Sequence, residues 1–312
     1  MASIPRALVS GALVLSALLG LAGCRSGAPP PLRIALVTFD GPASDALLNA
    51  SARSGLAAVR SAFGAEVVNA SATSRAEFVA DLTLFADEDY DEVFGSGPAL
   101  ATAMTEVARR YPRRNFVLLG ATSPEPNVTS VEFPVEQAAF LAGALAATAA
   151  RGRDIDLDVA SGAPPEQAAL RSGFIAGVRE IGHARPVRLD AVVAKGPLAP
   201  AATLYDAGSA VAFAAFRAPR RGAVLARAIE RADVAVLQIS ADARSQKVPA
   251  GRTSFGIAEH GVELGLTARG RRLAGQAGLA RLARLSAAIA DGRIVVPRTL
   301  AQLAAFKALP AE

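Results

Sequence analysis

Short apolar runs alternate with longer segments of helical periodicity along most of this chain, and this alternation constrains its fold more than any other feature. Arg33–Thr38 is a nearly continuous apolar run, which is typical of a strand covered on both faces of a parallel sheet. Ala43–Phe63 follows with apolar residues at helical spacing and ends before Gly64. Four such alternations, within about one hundred residues, predict a doubly wound sheet.

A second series of the same kind begins after residues 128–133. Its predicted helices are Glu136–Ala150, Pro165–Ile181, Pro200–Ala207, Arg220–Arg231, Leu273–Ala290 and Thr299–Ala308. Its predicted strands are Asp156–Ala160, Val187–Val193, Ala210–Ala215, Val234–Ile239 and Ile294–Val296. Two series of similar size predict an α/β protein with two lobes, each built on a doubly wound, mostly parallel sheet.

The chain contains a single cysteine, Cys24, which excludes an intrachain disulfide and a cysteine-based zinc site. Met1–Arg6 carries one positive charge and Ala7–Gly20 is uncharged, which is the order of a secretory signal peptide. The sequence Leu-Ala-Gly-Cys that follows resembles the bacterial lipobox, in which the cysteine is acylated and the chain is cut just before it. We therefore predict a signal peptide at residues 1–23, lipidation at Cys24 and a tether at residues 24–31.

A signal anchor and an N-terminal core helix are the alternatives. The uncharged run from Ala7 to Cys24 has 18 residues and contains three glycines and two serines, so it would span a membrane poorly. The sequence RSGAPPP over Arg25–Pro31 disfavours a core helix. The predicted location is extracytoplasmic, on the cell membrane or the outer membrane, with lipid as the membrane anchor.

Composition argues against several classes of function. Hydrophobic residues make up 52% and charged residues 20%, which excludes intrinsic disorder. The net charge of +5 comes without a concentrated basic patch, so we predict no nucleic-acid partner. His183 and His260 have no metal-binding spacing, and the chain lacks a P-loop and a nucleophile elbow. We therefore predict no metal, no cofactor and no enzyme activity.

The loops that follow the predicted strands supply the candidate ligand-binding residues, because open α/β lobes bind ligands at the carboxyl ends of their strands. Some of these residues have a second interpretation: Asp45 could only cap a helix, Gly95 and Gly97 could only form a tight turn, and Phe216 could belong to the core. The candidates in these loops are Phe39, Asp40, Asp45, Gly95, Gly97, Phe216, Arg217, Ser240 and Asp242.

A series of fragments then occurs in a recognisable order. They are LRIALVT at 32–38, YDEVFGSG at 90–97, YPRRNFVLLG at 111–120, NVTSVEF at 127–133, EQAAFLAGALAA at 136–147, GFIAGV at 173–178 and DGRIVVP at 291–297. Together they resemble the basic membrane protein family, the substrate-binding lipoproteins whose best-known members are purine nucleoside receptors of ABC importers. The resemblance implies a two-lobed fold like that of type I periplasmic binding proteins.

In that family, stacked aromatic rings hold the purine, and carboxylate and amide side chains hold the ribose hydroxyls. The resemblance assigns Asp45 and Asn49 to the ligand site of the first lobe. Leu48 stands where the family has a phenylalanine, and Phe39 with Asp40 stands where it has an early aspartate. A stacking surface is therefore missing at its expected place, unless Phe39 supplies one.

The second lobe departs further from the family pattern. Phe216 and Arg217 occupy the place of a glycine-rich turn, and Ser240 replaces the first carboxylate of a sugar clamp that keeps Asp242. Ile257 stands where the family has a lysine. A site that has lost polar partners discriminates against its former ligand, so the pocket is expected to be altered.

We therefore predict a solute-binding lipoprotein that takes a small, nucleoside-like molecule between its lobes and delivers it to an ABC permease. The alternative is a ligand-sensing or scaffolding lipoprotein of the same fold without a transporter. The first lobe is predicted at residues 32–134 with a return segment near 252–272. The second is predicted at residues 135–251 together with 273–312.

Overall fold

Two six-stranded sheets organise the described part of the chain. The computed structural model describes residues 30–41, 45–160, 165–182, 186–192, 202–206, 210–215, 223–245, 247 and 251–309. The α/β architecture with two sheets confirms the predicted fold class.

The first sheet is parallel throughout, and β1 lies between β3 and the edge strand β2. Ile34–Val37 of β1 are fully buried, as expected for a strand that is covered on both faces. The strand order is β11-β5-β4-β3-β1-β2. The bounds are β1 Arg33–Phe39, β2 Glu66–Ala72, β3 Glu92–Ser96, β4 Phe116–Leu119, β5 Val128–Glu132 and β11 Arg252–Ser254.

Helices cover both faces of the first sheet. Helices α1 (Ala46–Phe63) and α6 (Ala232–Arg244) pack on one face, and α2 (Arg75–Asp87) and α3 (Ala101–Arg110) pack on the other. Gly64 ends α1 in the left-handed conformation, with φ of 64°, which glycine adopts without strain. Because α1 follows β1 directly, its first turn lies at the carboxyl edge of the sheet.

The second sheet mixes parallel and antiparallel strands in the order β12-β10-β8-β9-β6-β7. Strand β6 pairs in parallel with β7 and β9, whereas the β8–β9, β8–β10 and β10–β12 pairs are antiparallel. This half therefore departs from the predicted mostly parallel pairing. The bounds are β6 Asp154–Ala160, β7 Val187–Val192, β8 Ala202–Asp206, β9 Ala210–Ala215, β10 Ala223–Glu230 and β12 Val262–Leu266.

Four helices pack around the second sheet and against each other. A Cβ on Gly143 would lie 2.0 Å from the Phe174 carbonyl oxygen, and one on Gly177 would lie 1.9 Å from the Phe140 carbonyl oxygen, so glycines let α4 and α5 touch backbone to backbone. The bounds are α4 Glu136–Ala150, α5 Pro165–Ile181, α7 Ala268–Ala290 and α8 Leu300–Ala305.

Two predicted helices of the second series are strands. Residues predicted as helix at Pro200–Ala207 and Arg220–Arg231 form β8 and β10. The sequence at 220–231 is rich in alanine and arginine, which have high helix propensity, and 200–207 contains three alanines, but pairing of β8 with β9 and β10 decides the local conformation.

Two predicted strands are also wrong. Val234–Ile239 lies within α6, where Ala232, Ala235 and Val236 are buried at helical spacing. Residues 294–296 form an irregular segment whose Ile294 and Val296 pack in the cluster beneath α7 and α8. In both cases a short apolar run indicated burial correctly but did not distinguish a strand from other buried structure.

Three connections join the two sheets in the described part of the chain: residues 133–135, Arg231 and residues 255–261. They are hydrogen-bonded to neighbouring segments: the Arg231 N–H donates to the Gly261 carbonyl at 2.8 Å, and the Ile257 N–H donates to Gln137 Oε1 at 2.7 Å. Helix α6, from the stretch predicted in the second lobe, packs on α1, whereas β12, from the predicted return segment, pairs in the second sheet.

Candidate functional site

Polar side chains meet where β1 ends, at the carboxyl edge of the first sheet. The Arg53 guanidinium donates to Thr38 Oγ1 at 2.8 Å and to Asp40 Oδ2 at 2.8 Å. The Asn49 amide donates to the Phe39 carbonyl at 2.8 Å and to Asp40 Oδ1 at 3.2 Å. The structure therefore brings together Asp40 and Asn49, two of the predicted site residues.

The charge of Asp40 is balanced locally. Burial acts to raise its pKa, but hydrogen bonds from Arg53, Ser71 and Asn49, with the positive charge of Arg53, lower the pKa below the ordinary value. Asp40 is therefore ionised at neutral pH, and its carboxylate fixes the loop after β1 as one half of an ion pair.

Two buried atoms at this edge have no hydrogen-bond partner among the described residues: Asn49 Oδ1 and Ser96 Oγ. Both residues are only 1% exposed. Ser96 ends β3 beside Thr38, on the strand face of Leu36 and Phe94, which packs toward α1. Leaving a buried polar atom unpaired costs about 1–3 kcal/mol, so hydrogen-bonding capacity remains unused beneath the start of α1.

Asp45 caps α1. Its Oδ1 accepts the backbone N–H of Leu47 at 3.1 Å and that of Leu48 at 3.0 Å. Burial raises the pKa of Asp45 above its ordinary value, although the two backbone hydrogen bonds oppose this shift. The Asp45 carboxyl group therefore caps α1, which was the second interpretation of this residue in the sequence. The group is also poorly solvated.

The end of β10 reaches the same part of α1. Ser51 Oγ donates to Asp233 Oδ1 at 2.9 Å and accepts the Asp233 backbone N–H at 3.0 Å. A Cβ on Gly55 would lie 2.7 Å from Asp233 Cα, so glycine is needed for this close approach of α6 to α1. Glu230, three residues before Asp233, comes close enough to Asp45 for their charges to interact.

Glu230 is the last residue of β10, and its carboxyl group is poorly solvated. Burial, and then the negative charge of Asp45, raises the pKa of Glu230 to about 8. The neighbouring Arg231 binds Asp233 at 2.8 and 2.7 Å and Glu263 at 3.4 Å instead. Across the described ranges, no side chain forms an ion pair with Glu230.

The two predicted glycines shape the end of β3. A Cβ on Gly95 would lie 2.4 Å from Met104 Cε, so Gly95 makes room for the core on the α2 and α3 side. Gly97 has φ of 101°, and its N–H donates to the Leu119 carbonyl at 2.9 Å. The structure thus gives Gly95 a packing role and Gly97 a turn role.

The ring of Phe39 lies over Gly41 and packs toward the α2 and α3 side of the sheet. A Cβ on Gly41 would lie 2.2 Å from Phe39 Cζ. The aromatic ring is therefore on the opposite face from Asn49 and Ser96, where Leu48 packs beneath α1.

Ser240 and Asp242 do not join this cluster, because the strand predicted before them is helix α6. Ser240 is fully buried with its Oγ unpartnered among the described residues. Asp242 accepts a hydrogen bond from Gln238 Nε2 at 3.2 Å and acts electrostatically on Glu92, the first residue of β3. Asp242 thus lies toward the amino edge of the sheet, opposite Asp40.

Three predicted residues, Cys24, Phe216 and Arg217, lie outside the described residues. Ser96 lies between Gly95 and Gly97 in one of the loops that the sequence analysis selected, whereas Glu230 was not selected from the sequence. Glu230 ended a predicted helix, and its alanine- and arginine-rich surroundings gave no signal of a strand that leads into the site.

A separate groove of about 790 Å³ runs beside β12 and α7. Its lining is largely apolar, with Arg231, His260 and Glu263 as charged or titratable members, and Ile257 also lines it. None of the predicted ligand-binding residues that the structure describes lines this groove.

Neither a membrane-spanning helix nor a metal-binding cluster occurs within the described residues. They contain no helix that is both long and apolar enough to cross a bilayer. Over the same ranges, no three His, Cys, Asp or Glu side chains are grouped so that they could hold a metal ion.

Comparison with known families identifies the family to which this chain belongs. The family model Bmp, described as ABC transporter substrate-binding protein PnrA-like, matches residues 33–194, which is just over half of the chain. The chain belongs to the Bmp family. This result confirms the resemblance seen in the sequence fragments.

Individual Bmp relatives and solved structures are distant. The ABC transporter nucleoside-binding protein BmpA of Lactococcus lactis subsp. cremoris (strain MG1363) is 25% identical over 191 residues, 56% of this chain and 54% of that protein. The chain thus matches about half the length of this curated relative. The solute-binding protein of an ABC transporter system from Aeropyrum pernix K1 has a TM-score of 0.61 at 20% identity, covering 88% of this chain and 96% of the other.

A second solved structure agrees. The ABC transporter system solute-binding protein from Conexibacter woesei DSM 14684 has a TM-score of 0.63 at 17% identity, covering 86% of this chain and 99% of the other. At these identities the likeness shows a shared fold between this Bmp protein and solute-binding proteins.

Proposed function

We infer that this Bmp protein is the solute-binding component of an ABC importer. One observation carries the inference: two buried oxygen atoms without a hydrogen-bond partner and two carboxyl groups without an ion pair, among the described residues, lie at the carboxyl edge of the first sheet, where the chain crosses from β10 to α6. Asp45, Asn49, Ser96 and Glu230 all lie at this crossing. Ligands of open α/β sheets bind outside the carboxyl ends of the strands, which is where these groups lie.

Binding would proceed by closure of the two halves around the solute. The connections at residues 133–135, Arg231 and residues 255–261 are short and adjacent, which favours a hinge. Only a closed state contacts the solute from both sides, so the solute shifts the population toward closure. A permease that recognises the closed form would then receive the solute.

A nucleoside-like solute is the first candidate. The name of the Lactococcus lactis relative states nucleoside binding, and carboxylate and amide oxygens accept hydrogen bonds from ribose hydroxyls. Asp45 and Asn49 provide such oxygens at the start of α1. Among the described residues, Leu48 lies on this face and the Phe39 ring lies on the opposite face, so these residues would hold a nucleobase by apolar contact and not by stacking.

A thermal-shift screen of the purified full chain tests this function. Nucleosides, free bases, sugars and amino acids are compared, and a solute at one hundred times its dissociation constant should add about 2.7 kcal/mol of stability. The Asp45→Asn variant keeps a good helix cap but loses the charge, so it should weaken the stabilisation. Asp291→Asn, at the far end of α7, is the matched control.

Stabilisation by one class, reduced by Asp45→Asn and unaffected by Asp291→Asn, would support solute binding at this site. Silence across all classes would contradict it and would favour a scaffolding lipoprotein. Binding without uptake in a strain that lacks only this protein would favour a ligand sensor.

We also propose that Cys24 carries lipid and holds the protein on the outer side of a membrane. Several acyl chains give stable anchoring, since each buried methylene contributes about 0.8 kcal/mol. Cys24→Ser should therefore move nearly all of the protein from the membrane fraction to the soluble fraction, as measured by blotting of the two fractions. Ser26→Ala, two residues further on, should leave the protein in the membrane fraction, and membrane retention of Cys24→Ser would contradict lipidation.

A further inference from the structure

Two carboxyl groups near the end of β10, those of Glu230 and Asp45, form no ion pair with any described residue. Asp45 receives only the backbone N–H groups of Leu47 and Leu48, and within the described ranges Glu230 has no ion-pair partner. These two groups are brought together by the tight Ser51–Asp233 contact between α1 and the start of α6.

The two described arginines near Glu230 and Asp45, Arg231 and Arg53, bind other side chains. Arg231 donates from Nε to Asp233 Oδ1 at 2.8 Å and from Nη2 to Asp233 Oδ2 at 2.7 Å, and its Nη1 lies 3.4 Å from Glu263 Oε2. Arg53 is held by Asp40 and by Thr38 Oγ1. The described arginines therefore pair with the neighbouring aspartates Asp40 and Asp233 and not with Glu230 or Asp45.

A second observation, independent of the acidic pair, points to the same kind of ligand. Asn49 Oδ1 and Ser96 Oγ are unpartnered, and both residues are 1% exposed at the same edge of the sheet. Asn49 Oδ1 can only accept a hydrogen bond, and Ser96 Oγ can also accept one. The polar atoms without a partner at this edge can therefore mainly accept hydrogen bonds from a ligand.

We propose that the solute carries a positively charged nitrogen group, an amine or a guanidinium, which binds between the Glu230 and Asp45 carboxylates. This inference rests on the proposed solute-binding function and names the solute class for the same site. An ammonium or guanidinium group donates several hydrogen bonds and accepts none, which matches a site rich in acceptors.

The titration of the pair gives the site a measurable signature. Burial, and then the charge of Asp45, raises the pKa of Glu230 to about 8, and burial raises the pKa of Asp45, so near neutral pH Glu230 holds a proton while the site is empty. A bound cation favours the ionised carboxylate, and the proton is then released to the buffer. The charged or titratable groups on elements near the end of β10 are Asp45, Arg53, Arg231, Asp233, His260 and Glu263.

Calorimetric titration of the full chain with matched probes tests the proposal. Adenosine is compared with 5′-amino-5′-deoxyadenosine, and agmatine and arginine are added as cations without a nucleobase. At about pH 7, a cationic probe should bind at least about tenfold more tightly than its neutral counterpart and should release protons, seen as a binding enthalpy that depends on the buffer. Glu230→Gln should remove the preference and the proton release.

Glu106→Gln, an exposed glutamate on α3 that pairs with Arg75, is the matched control and should change neither quantity. Equal affinity for neutral and cationic probes, or a preference that survives in Glu230→Gln, would overturn the cationic solute. Binding of adenosine alone would overturn it while leaving the solute-binding function intact. Absence of binding by every probe, together with silence in the wider screen, would overturn both.

Discussion

Gly177→Ala should destabilise the protein by about 3–5 kcal/mol, the largest effect expected of any single added methyl group here. The new Cβ would lie 1.9 Å from the carbonyl oxygen of Phe140 on α4, so the backbones of α4 and α5 would have to separate. Gly143 makes the reciprocal contact with Phe174. The crossing is buried on both sides, and surrounding side chains cannot relax around a backbone atom.

The control for this substitution is Gly278→Ala on α7. A Cβ there would meet Ala274 Cβ at 3.2 Å and Thr148 Cγ2 at 3.5 Å, which small side-chain shifts can absorb. Alanine also has a higher helix propensity than glycine, so the net change should stay within about 1 kcal/mol. Urea unfolding of both variants measures the difference, and a Gly177→Ala protein as stable as the Gly278→Ala protein would contradict the described crossing.

Glu92→Gln should change how stability depends on pH. Glu92 is fully buried at the start of β3, and neither of its carboxyl oxygens has a partner in the described part of the chain. Burial first, and then the charges of Asp91 and Asp242, raises the pKa of Glu92 to about 8 from an ordinary value of 4.5. Between these two pH values the folded state holds a proton that the unfolded state has lost.

The sign follows from this difference in bound protons. The contribution of Glu92 to the free energy of unfolding is greatest below about pH 4.5. As the pH rises, this contribution falls by about 1.4 kcal/mol per pH unit, and it levels off above about pH 8. Glu92→Gln cannot ionise, so it should lose this dependence and exceed the parent in stability by several kcal/mol at about pH 9. The two proteins should converge near about pH 5.

Denaturant unfolding at about pH 5, 7 and 9 checks this prediction. Glu66→Gln, at the start of β2 and exposed beside Arg33, provides the same chemical change at the same edge of the sheet and should leave the slope unaltered. A parent protein and a Glu92→Gln variant with parallel pH profiles would show that Glu92 is ionised in the folded protein.

The first sheet could be predicted from the sequence because its local signals agree with its packing. The run Ile34–Val37 is apolar without interruption, and the strand is buried on both faces. Ser74 caps α2 and Gly64 ends α1, as their residue types indicate. In this half, local preference and tertiary structure favour the same elements.

The second half was harder to predict because its local preferences oppose its pairing. Residues of β10 have a helix-forming composition, yet β10 is a strand held between β8 and β12. The apolar run in α6 has the length of a strand, but its buried residues pack on α1 as a helix. Long-range contacts decide both cases, and no local pattern reports them.

The candidate site shows the same division. Asp40, Asp45 and Asn49 follow β1 closely, so the rule that ligands bind at the carboxyl ends of strands locates them. Glu230 joins them through the packing of α6 on α1, which includes the Ser51–Asp233 hydrogen bonds between residues 182 positions apart. Such a contact could not be inferred from one sequence without the fold.

The account's central claim, closure of two halves around a bound solute, is tested most directly by a distance measured between the halves. In a Cys24→Ser background, spin labels are attached at Ser61→Cys on α1 and Arg284→Cys on α7. Pulsed electron paramagnetic resonance then measures the distance between the two labels. A solute that stabilises the protein should shorten the mean distance by at least about 3 Å and narrow its distribution. An unchanged distance with every stabilising solute would contradict capture by closure.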